Sequence, residues 1–295
     1  MQATKADEPQ TAPAPKIASN SSELRAAIAV ARARGLSIGL VPTMGALHAG
    51  HLSLIEASRR ECGYTVVTIF VNPTQFGPHE DFERYPRSLE TDLAAIRPLG
   101  ADLVFVPATS DMYRPQHATF IEMHGPAEPL EGRRRPDHFR GVATIVLKLF
   151  NLATPDRAYF GQKDYQQTLV VRRMVADLDL PIEVRVCPIV READGLAMSS
   201  RNVYLSPAER EQALALYRSL QRAAELFAAG ERGAEVLAAE MRKLYDAAPL
   251  VRLEYLAVAD PETLAPVARV NERAVVAVAA RVGKTRLIDN HLLGS

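Results

Sequence analysis

The chain has 295 residues, 47% of them apolar, with 35 basic and 35 acidic side chains. That length and apolar content support one large or two moderate hydrophobic cores, and the charge balance argues against a dedicated nucleic-acid surface, which carries a basic excess. No apolar run approaches a membrane span and no signal-peptide core opens the chain; the two distant cysteines, Cys62 and Cys187, read as buried free thiols of a reducing cytoplasm.

Residues 1–18 are rich in Ala, Pro, Gln and Thr and read as a disordered leader. From Ser19 the pattern changes. An Ala-rich helix over 21–34 is followed by apolar, β-branched runs at 36–41, 64–71, 102–106, 157–160 and 182–186. Helical stretches at 51–61, 88–97, 141–153 and 164–177 fall between or beside them. This alternation predicts an α/β domain over 19–187, a parallel sheet with helices on both faces. After about Pro188 the pattern shifts again. Ser206-Pro207-Ala208-Glu209 combines a capping serine, a first-turn proline and a third-position glutamate. It predicts a long helix to about 229, broken by Gly230 and Gly233, and a second helix to about 246. Alternating runs at 252–259 and 273–282 predict antiparallel strands, so 188–295 reads as a smaller C-terminal α+β domain.

The polar residues of chemical interest follow the predicted strands. After the first come Pro42-Thr43-Met44-Gly45-Ala46-Leu47-His48-Ala49-Gly50-His51, at a strand-to-helix turn. A helix N-terminus has free N–H groups and a partial positive charge, which suits phosphate. Two imidazoles there add hydrogen-bond donors for charge on a leaving phosphate. The spacing also fits zinc, although no Cys, Asp or Glu lies nearby in sequence, and it fits a pair of ordinary structural histidines. After the second strand stand Asn72-Pro73-Thr74-Gln75-Phe76, which also make a good turn with no function. After the fourth stand Gly161-Gln162-Lys163-Asp164. Lys163 could reach phosphate oxygens while Asp164 caps the next helix, or be a solvated lysine. Gln75 and Gln167 are neutral amides able to orient a hydroxy-carboxylate, or plain surface. In a parallel sheet these points share one edge, where ligands bind in open α/β folds. Later, Asp194-Gly195-Leu196-Ala197-Met198-Ser199-Ser200-Arg201-Asn202 places two hydroxyls and a guanidinium on a Gly-hinged loop. That suits phosphates and a moving lid, and equally an exposed Ser-rich turn.

His48-Ala49-Gly50-His51 resembles the HIGH signature of adenylate-forming nucleotidyltransferases, and Met198 to Arg201 resembles that superfamily's KMSKS loop. With Phe70-Val71-Asn72-Pro73-Thr74-Gln75-Phe76, Arg135-Pro136-Asp137-His138-Phe139-Arg140-Gly141-Val142 and Tyr159-Phe160-Gly161-Gln162-Lys163-Asp164-Tyr165-Gln166-Gln167, the chain resembles the pantothenate synthetase (pantoate–β-alanine ligase) family. The resemblance runs from about Ile38 to the C-terminus. It implies a Rossmann-like fold and a two-step ligation through pantoyl-adenylate, with ATP as substrate and Mg²⁺ as its companion. It further implies a cytoplasmic homodimer that binds neither nucleic acid nor membrane. Carried over by position, Met44, Gly45, Ala46, Leu47, His48, Ala49, Gly50 and His51 line the ATP site. Gly161, Gln162, Lys163, Asp164, Val190, Met198, Ser199, Ser200 and Arg201 complete it. His48, His51, Lys163 and Arg201 act on the phosphates. The family's proton-donor position falls on His51, which we read first as charge stabilisation. Gln75 contacts pantoate and β-alanine, Gln167 pantoate, and Asp92 holds Mg²⁺. Arg135 and His138 stand near substrate. The family's glycine between Pro and His is Asp137 here, which leaves the local turn, and with it the placement of His138, open. Val142, Ile145 and Val146 could receive pantoate's methyls or be plain core.

Two rivals remain at this stage. A cytidylyltransferase of the same superfamily would need extra basic residues where Gln75 and Gln167 stand. A non-catalytic nucleotide sensor would have no use for His48, His51, Lys163 and Arg201 together.

Overall fold

The computed structural model describes residues 13–78 and 80–294. In chain order the elements are β1 (Lys16–Ala18), α1 (Ser21–Ala33), β2 (Ile38–Thr43), α2 (Ala49–Glu61), β3 (Tyr64–Ile69), α3 (Leu89–Ile96), β4 (Leu103–Phe105), and the short α4 (Thr109–Met112) and α5 (Glu131–Arg134). Then come α6 (His138–Ala153), β5 (Arg157–Gly161), α7 (Tyr165–Asp177), β6 (Glu183–Cys187), α8 (Pro207–Ala228), α9 (Ala234–Asp246), β7 (Val251–Ala259), β8 (Ala274–Val282) and β9 (Thr285–Leu293).

Among the described residues, β1 to β6 form a parallel sheet in the order β1-β4-β3-β2-β5-β6. Neighbouring residues of each strand face opposite sides of a sheet. Leu40, Val66 and Leu103 accordingly join a core with α1, α6 and α7, while Val41, Val67 and Val104 join another with α2 and α3. Both faces are covered, which is why these strands read as continuous apolar runs rather than alternating ones. From β2 the chain builds outward through β3 to β4 on one side and later through β5 to β6 on the other. The order reverses between β2 and β5, and a crevice opens above their C-terminal ends.

The leader expected over residues 1–18 needs correction at its end. Residues 1–12 lie outside the described residues, but Lys16–Ala18 form an edge strand with Ile17 opposite Val104. Three residues carry too little pattern to be recognised alone, and the pairing comes from a partner almost ninety positions away. The C-terminal part folds as expected in its helices. Ser206 Oγ accepts from Glu209 N–H at 3.3 Å, and Glu209 Oε2 accepts from Ser206 N–H at 2.8 Å. Its sheet has a third strand that the pattern did not reveal, β9, antiparallel to β8. α8 and α9 close over this sheet, burying Leu216, Leu237 and Met241 with Val276 and Val278. Both cysteines are free, but only Cys62 is buried; Cys187, the last residue of β6, is partly exposed.

Candidate active site

The crevice holds a cavity of about 210 Å³ lined from four loops. The β2–α2 turn contributes Met44, His48, Gly50 and His51, and the turn after β3 contributes Gln75. The turn after β5 and the start of α7 contribute Gly161, Lys163, Asp164 and Gln167. The segment beyond β6 contributes Val190, Met198, Ser199, Ser200 and Arg201. Arg135 and His138 face the same space, as do Val142, Ile145 and Val146. These three are at once cavity wall and core, since they also pack in the cluster around α6.

Not every expected residue lines it. Gly45, Ala46, Leu47, Ala49 and Gln162 do not. Gly45 turns the chain with φ +80°, and Ala46 follows at φ 50°, so two successive residues sit in the left-handed region. What holds them there is Asp92. Its carboxylate accepts from Ala46 N–H at 3.0 Å and from Leu47 N–H at 2.8 Å, and the residue is only 3% exposed. Asp92 therefore lies behind the loop, in a separate hollow, with both oxygens engaged. It does not fit the metal role expected of it. Among the described residues no group of three or more His, Cys, Asp or Glu stands close enough to hold a metal. That also removes the zinc reading of the histidine pair.

The two histidines build the start of α2 themselves. Gly50 N–H donates to His48 Nδ1 at 3.2 Å, and His48 N–H donates to His51 Nδ1 at 3.4 Å. A backbone N–H can only donate, so each Nδ1 is an acceptor and each neutral ring carries its hydrogen on Nε2. The rings lie 4.1 Å apart between centroids. Burial, with the Lys163 charge second, lowers the pKa of His48 to about 4. Burial, with His48 and Lys163 behind it, lowers that of His51 to about 3. With pKa values lowered this far, both rings are neutral near pH 7 and present Nε2–H as a hydrogen-bond donor.

The positive charge comes from elsewhere. Lys163 Nζ is 3.9 Å from Asp164 Oδ1 and faces the cavity. Asp164 was expected to cap α7, but its side chain makes no capping bond; a tight turn over Gln162–Asp164 precedes the helix instead. Gln162 turns away, its Nε2 donating to Asn290 Oδ1 at 3.3 Å. Arg201 forms a fork with Asp81, and Arg135 forms one with Glu80 at 2.6 and 2.7 Å. Arg135 also donates to His138 Nε2 at 3.1 Å, so His138 carries its hydrogen on Nδ1 and gives it to Gln75 O at 2.9 Å. Burial and the Arg135 charge lower the His138 pKa to about 4. In the turn before His138, Asp137 adopts the left-handed conformation that favours glycine, φ 66°, ψ −7°.

Several residues of the site escaped sequence reasoning. Glu80 and Asp81 lie in a loop with no distinguishing pattern, and only their arginine partners reveal them. β9 was missed, yet its Asn290 Nδ2 donates to the carbonyls of Gln162 and Lys163 at 2.9 and 3.0 Å. Its Asp289 forks with Arg191, beside Val190, at 2.7 and 3.0 Å. Buried polar residues in an alternating strand were the available signal.

Residues 16–292 match the profile of the family described as Pantoate-beta-alanine ligase. The chain belongs to that family. It is 58% identical over 257 residues to the pantothenate synthetase of Roseiflexus castenholzii, covering 87% of this chain and 92% of that one. The crystal structure of pantothenate synthetase from Thermus thermophilus superposes with a TM-score of 0.89 at 48% identity, covering 94% and 98% of the two chains. A pantoate–β-alanine ligase from Francisella tularensis, solved in complex with β,γ-ATP and β-alanine, gives a TM-score of 0.78 at 34% identity over 95% and 98%. A ligase of this family needs places for a nucleotide, a hydroxy acid and an amine, and the crevice of this chain brings four loops to one such space.

Proposed function

We propose that this ligase works as a pantothenate synthetase, joining pantoate to β-alanine at the expense of ATP within the described crevice. In the first step a carboxylate oxygen of pantoate attacks the α-phosphorus. The bond to the β-phosphate breaks, and its electron pair leaves with pyrophosphate. In the second step the free amine of β-alanine attacks the acyl carbon, the bond to AMP breaks, and the nitrogen loses a proton to solvent. Neither step needs a covalent protein nucleophile; both need positioning and charge stabilisation.

The residues divide accordingly. His48 and His51 offer Nε2–H donors to phosphate oxygens, and their lowered pKa values favour neutral rings near pH 7, which suits hydrogen bonding more than proton donation. Lys163 and Arg201 supply positive charge where pyrophosphate develops, with Ser199 and Ser200 as neutral donors beside them. Val190 borders the adenine. Gln75 and Gln167 hold pantoate, and Gln75 also meets β-alanine. Val142, Ile145 and Val146 give pantoate's geminal methyls an apolar wall. The described residues offer no carboxylate cluster for Mg²⁺; brought by the nucleotide, it would neutralise charge on the phosphates. A homodimer and a cytoplasmic setting belong to the same reading; two free thiols suit a reducing compartment. No helix among the described residues is long and apolar enough to cross a membrane.

The observation that carries this reading is the convergence of four loops, with both histidines, Lys163, Arg201, Gln75 and Gln167, on one cavity. Pyrophosphate exchange into ATP tests it. Exchange that depends on pantoate is expected. Exchange without pantoate, or none with it, would remove the assignment.

A further inference from the structure

Gln75 sits on a short turn, and its amide can face the cavity with either its carbonyl or its NH₂. The choice is set by Asn72, which borders the cavity wall beside Gln75 and is 1% exposed. The direction of the Asn72 amide is fixed by two backbone groups. Thr74 N–H can only donate and faces Oδ1 at 3.4 Å; Gly141 C=O can only accept and faces Nδ2 at 3.2 Å. Gly141 is what lets α6 come this near, since a Cβ there would stand 2.3 Å from Thr74 O. The second Nδ2 hydrogen then goes to Gln75 Oε1 at 3.0 Å. Gln75 is left presenting its NH₂, with Nε2 3.0 Å from Met44 Sδ.

The shortest donor to Asn72 Oδ1 is Tyr113, whose hydroxyl lies at 2.8 Å. Thr74 Oγ1 adds another at 3.0 Å. Tyr113 does not line the cavity. Its ring is held edge-on by His117 with centroids 5.0 Å apart, and Lys148 Nζ lies 5.8 Å from its centre.

We infer that Tyr113 is a positioning residue, which through Asn72 holds Gln75 with its amide NH₂ toward the substrate. The ligand group met there is an oxygen acceptor, a carboxylate or carbonyl, rather than an ammonium. This rests on the reading above that Gln75 holds the hydroxy acid.

Tyr113→Phe removes one oxygen and tests the inference in the full chain. Without substrate, the Gln75 side-chain NH₂ resonances, assigned by their loss in Gln75→Glu, are expected to shift or broaden in Tyr113→Phe. Unchanged resonances overturn the relay whatever the enzyme's activity. With substrates, KM for pantoate is expected to rise about fivefold, the worth of one hydrogen bond, while KM for ATP stays put. An equal rise in both overturns the inference. Asn72→Asp, which cannot donate to Gln75, is expected to act more strongly, and adding Tyr113→Phe to it to cost nothing further; independent, additive effects count against the relay. Loss of pantoate-dependent exchange in the unaltered chain would remove the functional reading, while the resonances still decide the relay.

Discussion

Arg201 and Asp81 meet as a fork, with Nε 2.8 Å from one carboxylate oxygen and Nη2 2.8 Å from the other. Burial raises the Asp81 pKa, but the hydrogen bonds and charge of Arg201 outweigh it and hold the carboxyl below its usual value. The same pair clips the loop after β3 to the Ser-Ser-Arg segment, and Tyr85 OH lies 3.1 Å from Ser200 Oγ alongside it. Arg201→Ala is expected to slow adenylation by about 10²- to 10³-fold, the usual effect of losing one charge-stabilising donor, and to lower the melting temperature by leaving Asp81 unpaired. The double variant Asp81→Ala, Arg201→Ala should regain melting temperature without regaining rate. Recovery of both would mean that Arg201 serves only the fold.

The histidines make a prediction about acid. His48, His51 and His138 have folded pKa values of about 4, 3 and 4, below the ordinary 6.5. Between pH 6.5 and 4 the unfolded chain therefore binds protons that the folded one refuses. Stability is full above pH 6.5 and declines as pH falls, with a slope of at most about 1.4 kcal/mol per pH unit for each group. Urea unfolding from pH 7 to 4.5 measures it, and His51→Asn should flatten the curve. The same values predict no loss of pyrophosphate exchange between pH 8 and 6 from these rings. An acidic limb near 6.5 that disappears in His51→Asn would restore a proton-donor role.

Asp92 separates structure from metal binding. Asp92→Asn keeps one acceptor and leaves one of the Ala46 and Leu47 N–H groups without a partner, at a cost of about 1–3 kcal/mol. We expect lower unfolding free energy and an unchanged Mg²⁺ concentration for half-maximal rate. A many-fold rise in that concentration would return Asp92 to the metal.

Asp137 occupies a left-handed conformation and makes no capping bond with its side chain. Asp137→Gly should raise stability by up to about 1 kcal/mol, because glycine has no Cβ penalty there, and should leave KM values unchanged. A fall in stability would show that the carboxylate contributes something its geometry does not indicate.

Much of this was readable along the chain. β-branched runs and helix starts such as Ser206-Pro207-Ala208-Glu209 report on neighbours within a few residues, so β2 to β8, α1 to α3 and α6 to α9 appear in the pattern to within a few residues. His48, His51, Gln75, Lys163, Gln167 and Arg201 stand directly at strand ends or in a glycine-hinged loop, and a parallel sheet sends all such ends to one side. The family pattern was legible for the same reason: its motifs are short and local.

What the amino-acid order determined by itself was therefore the α/β class, the loops that bear chemistry and the residue types in them. The tertiary structure alone decided how those residues are held. β1 exists only because β4 offers it an edge. Asp92 supports a loop 46 positions away, Asp81 reaches Arg201 across 120 positions, and Asn290 orients Gln162 and Lys163 across some 128. Hydrogen-bond polarity and burial depend on which groups meet in space. The neutral state of both histidines and the NH₂-forward amide of Gln75 could thus be read only once the chain was folded.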